Sequence, residues 1–123
     1  MTNGTPRAVT IVDDDDAVRA SLQFLLEIVA GHVTEIFASA AEFLKSDLHH
    51  FGCLILDHHM PLMTGLELVE RLRDLGVAIP TLLITGSITP NIVARAAQFG
   101  VGHVLEKPPA EEVLLQFVAD ALR

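Results

Sequence analysis

The segment Leu54-Ile55-Leu56-Asp57-His58-His59-Met60-Pro61 decides how this chain reads. An apolar run stops at a single aspartate, and two histidines, a methionine and a proline follow. An uninterrupted apolar run of this kind suits a strand buried on both faces, as in parallel sheets. Asp57 then stands at the strand's carboxyl end, where open α/β sheets bind their ligands. Two other apolar runs also end in charge: Asp13 and Asp14 follow Ile11-Val12, and Lys107 comes just after Val104-Leu105.

Outward from this segment, strands and helices alternate along the chain. Apolar runs predict strands over Ala8 to Val12, His32 to Phe37, Gly52 to Leu56, Pro80 to Thr85 and Val101 to Leu105. Helical spacing of Val18, Leu22, Leu25, Leu26 and Val29 predicts a first helix from Ala17 to Ala30, with Gly31 as its stop. Ser39 and Glu42 read as a capping box opening a helix to about Asp47, with a polar loop through His49 and His50. A third helix, Gly65 to Leu75, turns Leu66, Val69, Leu72 and Leu75 inward and ends at Gly76. Thr89-Pro90 opens the fourth, with Ile92, Val93, Ala96 and Phe99 inward and Gly100 at its end. The last runs from Ala110 to Leu122 on a stripe of Val113, Leu114, Phe117, Val118 and Ala121. Five strands alternating with five helices predict a parallel sheet covered on both faces, with right-handed crossovers.

Composition bounds the function. The 123 residues suit one domain, read as 1–123 with a tail over about 1–7, and no repeat or linker divides them. Half the residues are hydrophobic, yet no apolar run approaches the roughly 20 needed to span a bilayer. The polar first residues, Met1 to Arg7, contain no secretory h-region, and the single cysteine, Cys53, excludes an internal disulfide. Both features fit a cytoplasmic protein. Cys53 itself reads as a buried, inert thiol. Sixteen acidic against eight basic residues, a net charge of -8, argue against direct nucleic-acid binding and leave no DNA-binding domain in this chain.

If the first, third and fifth strands end close together, Asp13, Asp14, Asp57 and Lys107 share one crevice. Three crowded carboxylates repel and need a compensating cation. An all-oxygen cluster suits Mg²⁺, which takes one or two carboxylates and keeps several waters; Mn²⁺ is a plausible substitute. With a divalent ion between Asp14 and Asp57 and an ammonium opposite, a phosphoryl group completes the site, and a carboxylate nucleophile gives an aspartyl phosphate. Asp15 and Asp16 read instead as helix-capping residues.

Four stretches together resemble the receiver domain of two-component response regulators. They are Ile11-Val12-Asp13-Asp14-Asp15, Leu56-Asp57 with Met60-Pro61 and Met63-Thr64-Gly65, Ile84-Thr85-Gly86, and Leu105-Glu106-Lys107-Pro108. The match runs nearly end to end, and the Ile-Thr-Gly and Leu-Glu-Lys-Pro wording is most similar to FixJ-like receivers. The resemblance implies a doubly wound, flavodoxin-like sheet in the order 2-1-3-4-5. It implies Asp57 as phosphoacceptor from a phosphohistidine of a sensor histidine kinase or phosphotransfer protein. Asp14, Asp57 and the backbone carbonyl of His59 would bind Mg²⁺ directly, and Asp13 through water. Thr85 and Lys107 would hold the phosphoryl group, and Lys107-Pro108 would be cis. Such a domain assists its own phosphotransfer and dephosphorylation without acting as an enzyme on other substrates.

The same resemblance implies a partner face on the fourth helix, fifth strand and last helix, including Asn91, Arg95, Gln98, His103 and Leu115. That face would meet a downstream effector protein or output domain, or a second copy in a dimer. Two alternatives are a degenerate receiver that binds partners without phosphorylation and an aspartate-nucleophile phosphohydrolase. The intact set of Asp13, Asp14, Asp57, Thr85 and Lys107 argues against the first. Against the second, His59 occupies the place where such enzymes carry a second aspartate. This chain departs from the pattern it resembles in two places. Val104 stands where receivers of this kind carry Phe or Tyr, so output coupled to a swinging ring is not expected. His58 and His59 read as exposed loop residues; the alternative is that the His59 imidazole modulates acyl-phosphate hydrolysis alongside Ser87. His49, His50, His58 and His59 form a poor zinc pattern.

Overall fold

A computed structural model describes residues 7–123. Strands β1 (Ala8–Val12), β2 (Thr34–Phe37), β3 (Phe51–Asp57), β4 (Thr81–Thr85) and β5 (His103–Glu106) form one sheet in the order β2-β1-β3-β4-β5. Every pairing is parallel. Helices α1 (Asp16–Phe24), α2 (Ala40–Leu44), α3 (Gly65–Asp74), α4 (Pro90–Gln98) and α5 (Glu111–Ala121) connect the strands. The order reverses at β1 and β3, so a crevice opens beyond their carboxyl ends. Of the expected tail, residues 1–6 lie outside the described part. Arg7 donates to the carbonyl of Ala121 at 3.2 Å.

Alternation along the strands divides the core. Val12, Leu54, Leu56 and Leu83 face α2, α3 and α4, packing on Phe43, Leu66, Leu68 and Ile92. Val9, Ile11, Cys53, Ile55, Leu82 and Ile84 face α1 and α5, packing on Leu22, Leu26, Leu114 and Phe117. All seven residues of β3 are buried, as its continuous apolar run requires. The Cys53 thiol shares this burial, which pushes its pKa up to about 12 and leaves it inert.

The helix signals hold at the caps and fail at some faces. Thr89 accepts from the Ile92 amide and Pro90 takes the first helical position. Gly31, Gly76 and Gly100 all have left-handed φ where their helices stop. Ser39 accepts from the Glu42 amide at 3.1 Å, but α2 ends at Leu44 rather than near Asp47. The reciprocal capping box lies at α3, between Thr64 and Glu67. Four residues expected inward are exposed. Val29 falls on a π-helical turn, Leu25–Val29, whose extra residue per turn rotates it off the α1 face. Leu75 lies past the last turn of α3, and Val93 and Val113 sit one position before or after the buried stripe. Leu68, outside the expected stripe, is fully buried because α3 is covered across a wider arc. Strands β2 and β5 begin two residues later than expected. At β5 the cause is Val101, whose amide closes the α4 stop on the Ala96 carbonyl at 2.8 Å.

Candidate functional site

The loop after β1 carries the acidic residues, and local hydrogen bonds set their roles. Asp15 caps α1, accepting from the amides of Ala17 at 2.8 Å and Val18 at 3.1 Å. Asp16 pairs with Arg19 one turn on. Asp13 is buried and accepts from the Asp15 amide at 2.9 Å, whereas Asp14 is exposed. Burial pushes the Asp13 carboxyl above its ordinary range, and the charges of Asp57 and Asp14 add to this; the Asp15 amide and Lys107 oppose it. Arg19 donates to the Asp13 carbonyl at 2.6 Å, a brace that the sequence reading missed. Its signal was the Asp16–Arg19 spacing in the first helical turn.

Asp57 ends β3, its backbone registered against Ile84 of β4. Lys107 follows β5, its amide donating to the Thr85 carbonyl at 2.9 Å, and the Lys107-Pro108 bond is cis. This places Lys107 Nζ 3.0 Å from Asp57 Oδ1. The contact is a close ion pair lying off the hydrogen-bonding direction, and both buried Asp57 oxygens are without an aligned donor. Partial desolvation lowers the Lys107 pKa, but Asp57, with Asp13 and Asp14 behind it, outweighs that and raises it overall. The lysine is therefore a fixed cation.

Carboxylate oxygens of Asp13, Asp14 and Asp57 all lie within 4.8 Å of one another, the single such ligand group among the described residues. One ammonium does not balance three clustered carboxylates, and the buried Asp57 oxygens still lack donors. A hard divalent cation fits this donor set. The histidines gather no comparable group. His50 turns away to Glu35, at 2.5 Å, and Asp47, at 3.8 Å.

His58 and His59 part company. Contrary to the exposed-loop expectation, His58 is buried, 6% exposed. It folds back under α3: its carbonyl accepts from Gly65 at 2.9 Å and its Nδ1 from the Leu66 amide at 3.4 Å. Burial depresses its pKa, and the charges of His59 and Arg95 act the same way. Gly65 permits this packing. A Cβ there would stand 2.7 Å from the Asp57 carbonyl oxygen and 2.9 Å from His58 Cα. His59 is exposed, with Nε2 3.0 Å from Oγ1 of the fully buried Thr85. The intervening loop is tight, with Leu62 at φ 72 and the Met63 amide donating to the Pro61 carbonyl at 2.8 Å.

The strand ends thus gather Asp13, Asp14, Asp57, Thr85 and Lys107 at one sheet edge, the arrangement of an acidic receiver pocket. The model of the response regulator receiver domain family matches residues 9–119, and the chain belongs to that family. It is similar to the transcriptional regulatory protein FixJ of Azorhizobium caulinodans, 36% identical over 93% of this chain and 54% of that protein. It is likewise similar to the response regulator protein TodT of Pseudomonas putida, 38% identical over 94% of this chain and 51% of that one. The chain therefore spans about half the length of these curated relatives. Among solved structures it superposes on the response regulator StyR with a TM-score of 0.87 and 37% identity, covering 96% of this chain and 60% of that one. Phosphoacceptance and Mg²⁺ binding at an acidic pocket are general in this family, and the fold and FixJ-like character expected from the sequence are both found.

Proposed function

We propose that Asp57 accepts a phosphoryl group from the phosphohistidine of a sensor kinase or phosphotransfer protein. The reading is carried by the gathering of three carboxylates within 4.8 Å, with Lys107 Nζ 3.0 Å from Asp57. An Asp57 oxygen attacks phosphorus as the phosphorus–nitrogen bond breaks. The electron pair returns to the imidazole, which takes up a proton and leaves as histidine. Lys107, held charged, neutralises oxygens of the transferring group, and the Thr85 hydroxyl donates to it once turned. Asp14, Asp57 and the His59 backbone carbonyl would hold Mg²⁺ directly, and Asp13 through water. When bound, the ion would neutralise charge on the transferring group.

The chain acts as one domain, a cytoplasmic phosphoacceptor whose partner surface is α4, β5 and α5. There His103 and Gln116 are exposed, and Val93, Ala97, Val101 and Val104 line a groove. An effector, an output domain or a second copy would dock on it. Incubation with acetyl phosphate and Mg²⁺, read by intact mass, tests the proposal. The parent should gain one phosphoryl group and Asp57→Asn none. A parent that gains nothing where a control receiver does would remove the reading.

A further inference from the structure

The Thr85 hydroxyl is fully committed, and not to Asp57. Its Oγ1 is 3.2 Å from the Ser87 carbonyl, 3.3 Å from the Ser87 amide and 3.0 Å from His59 Nε2. A hydroxyl has one proton and two lone pairs. With the proton donated to the Ser87 carbonyl and the His59 ring in its Nε2–H tautomer, acceptance from the Ser87 N–H and from His59 exhausts it. Thr85 is fully buried, so with the ring in place no water reaches its hydroxyl. Both Asp57 oxygens meanwhile receive no aligned hydrogen bond.

We propose that the His59 imidazole is a latch on Thr85, holding its hydroxyl toward Ser87 in the resting protein. The inference rests on Asp57 as phosphoacceptor. To donate to a phosphoryl oxygen on Asp57, Thr85 must withdraw its proton from the Ser87 carbonyl and turn. That turn breaks the bond to His59. The imidazole is exposed and has no other hydrogen-bond partner among the described residues, so it swings free at the surface. His59 is thus a positioning residue with two separable functions: its carbonyl serves the metal, and its ring opposes the switched state. Occupancy of Asp57 would be reported by the freedom of the His59 ring.

The experiment uses beryllofluoride, a phosphoryl mimic, with saturating Mg²⁺. His59→Ala keeps the backbone carbonyl and removes the latch, so it should bind beryllofluoride about fivefold more tightly, the equivalent of one hydrogen bond. His59→Gln, whose amide nitrogen reaches the place of Nε2, should restore the parent affinity. His59→Asn, one bond too short, should behave as His59→Ala. In the parent, the imidazole nitrogen resonances of His59 should shift to those of a free ring when beryllofluoride binds. Equal affinity in parent and His59→Ala, or an unmoved His59 ring signal, overturns the latch alone. A parent that binds no beryllofluoride overturns the phosphoacceptor reading and the latch with it.

Discussion

The Arg19 guanidinium donates at 2.6 Å to the backbone carbonyl of Asp13 while also pairing with Asp16. It ties the first turn of α1 to the loop whose carboxylates push one another apart. Removing a charge-assisted, largely buried bond of this kind costs about 1–2 kcal/mol. Arg19→Ala should lose that much in a urea titration followed by circular dichroism, the suitable probe for a chain with no Trp or Tyr. Its Mg²⁺ affinity should fall as well. An unchanged affinity by calorimetry would show that the loop is held without Arg19.

Asp13 should cost the metal-free fold stability. Its folded pKa is raised above the ordinary 3.8, through burial first and then through Asp57 and Asp14. The native state therefore prefers the protonated form, and stability is lost as pH rises through the folded value. Asp13→Asn should be the more stable protein at neutral pH, by about 1 kcal/mol. The gap should close as pH falls toward 3.8.

Mg²⁺ should reverse that ranking. An ion that binds only the folded state adds about 2.7 kcal/mol at a hundredfold excess over Kd. The parent should gain this in urea melts and Asp13→Asn much less. Equal gains would place the ion elsewhere.

Two histidines should bend the pH profile in opposite directions. Burial lowers the folded pKa of His58 below the ordinary 6.5, so its neutral form contributes fully above 6.5 and stability is lost as pH falls below it. The Glu35 hydrogen bond raises that of His50, so its contribution is present below 6.5 and lost as pH rises through the folded value. His58→Asn, which keeps an acceptor for the Leu66 amide, should flatten the acid-side loss. His50→Gln should instead remove the loss above 6.5. Urea midpoints across the range decide, and slopes matching the parent in both variants would refute the assignment.

Gly65→Ala should be severe for a single methyl. The added Cβ meets the Asp57 carbonyl oxygen at 2.7 Å and Leu83 Cδ1 at 2.8 Å, so backbone at the site has to move. Overpacking of this kind costs about 1–3 kcal/mol. Phosphotransfer from acetyl phosphate should slow as well, because Asp57 is displaced. A well-folded variant with the parent rate would mean that the loop yields instead.

Sheet and site were legible because each rests on a local pattern. Apolar runs ending in Asp13 and Asp57 mark buried strands, the run before Lys107 a half-exposed one, and all three mark carboxyl ends; the strand spacing leaves one class of sheet. Helix faces were less legible. Apolar residues at Leu75, Val93 and Val113 fit the periodicity but fall just past the helix end or beside the covered stripe, and only packing decides that. His58 and His59 are adjacent, chemically identical residues, yet one is buried under α3 and the other exposed over Thr85. The difference comes from the tight turn after β3 and from Gly65, whose close approach no periodicity records. Arg19 was hidden because its partner is a backbone carbonyl.

Strand β3 lies in the middle of the sheet, bonded to β1 on one side and β4 on the other. Its amides are thus shielded from every local opening and should exchange with solvent only through global unfolding. Asp57 is mounted on this strand, whereas His59, Ser87 and Lys107 stand on the connections that follow β3, β4 and β5. Events at the carboxylate should therefore leave the strand still and register in the exchange rates of the loops around it. The protein has a fixed point of reference on which a faster clock can run.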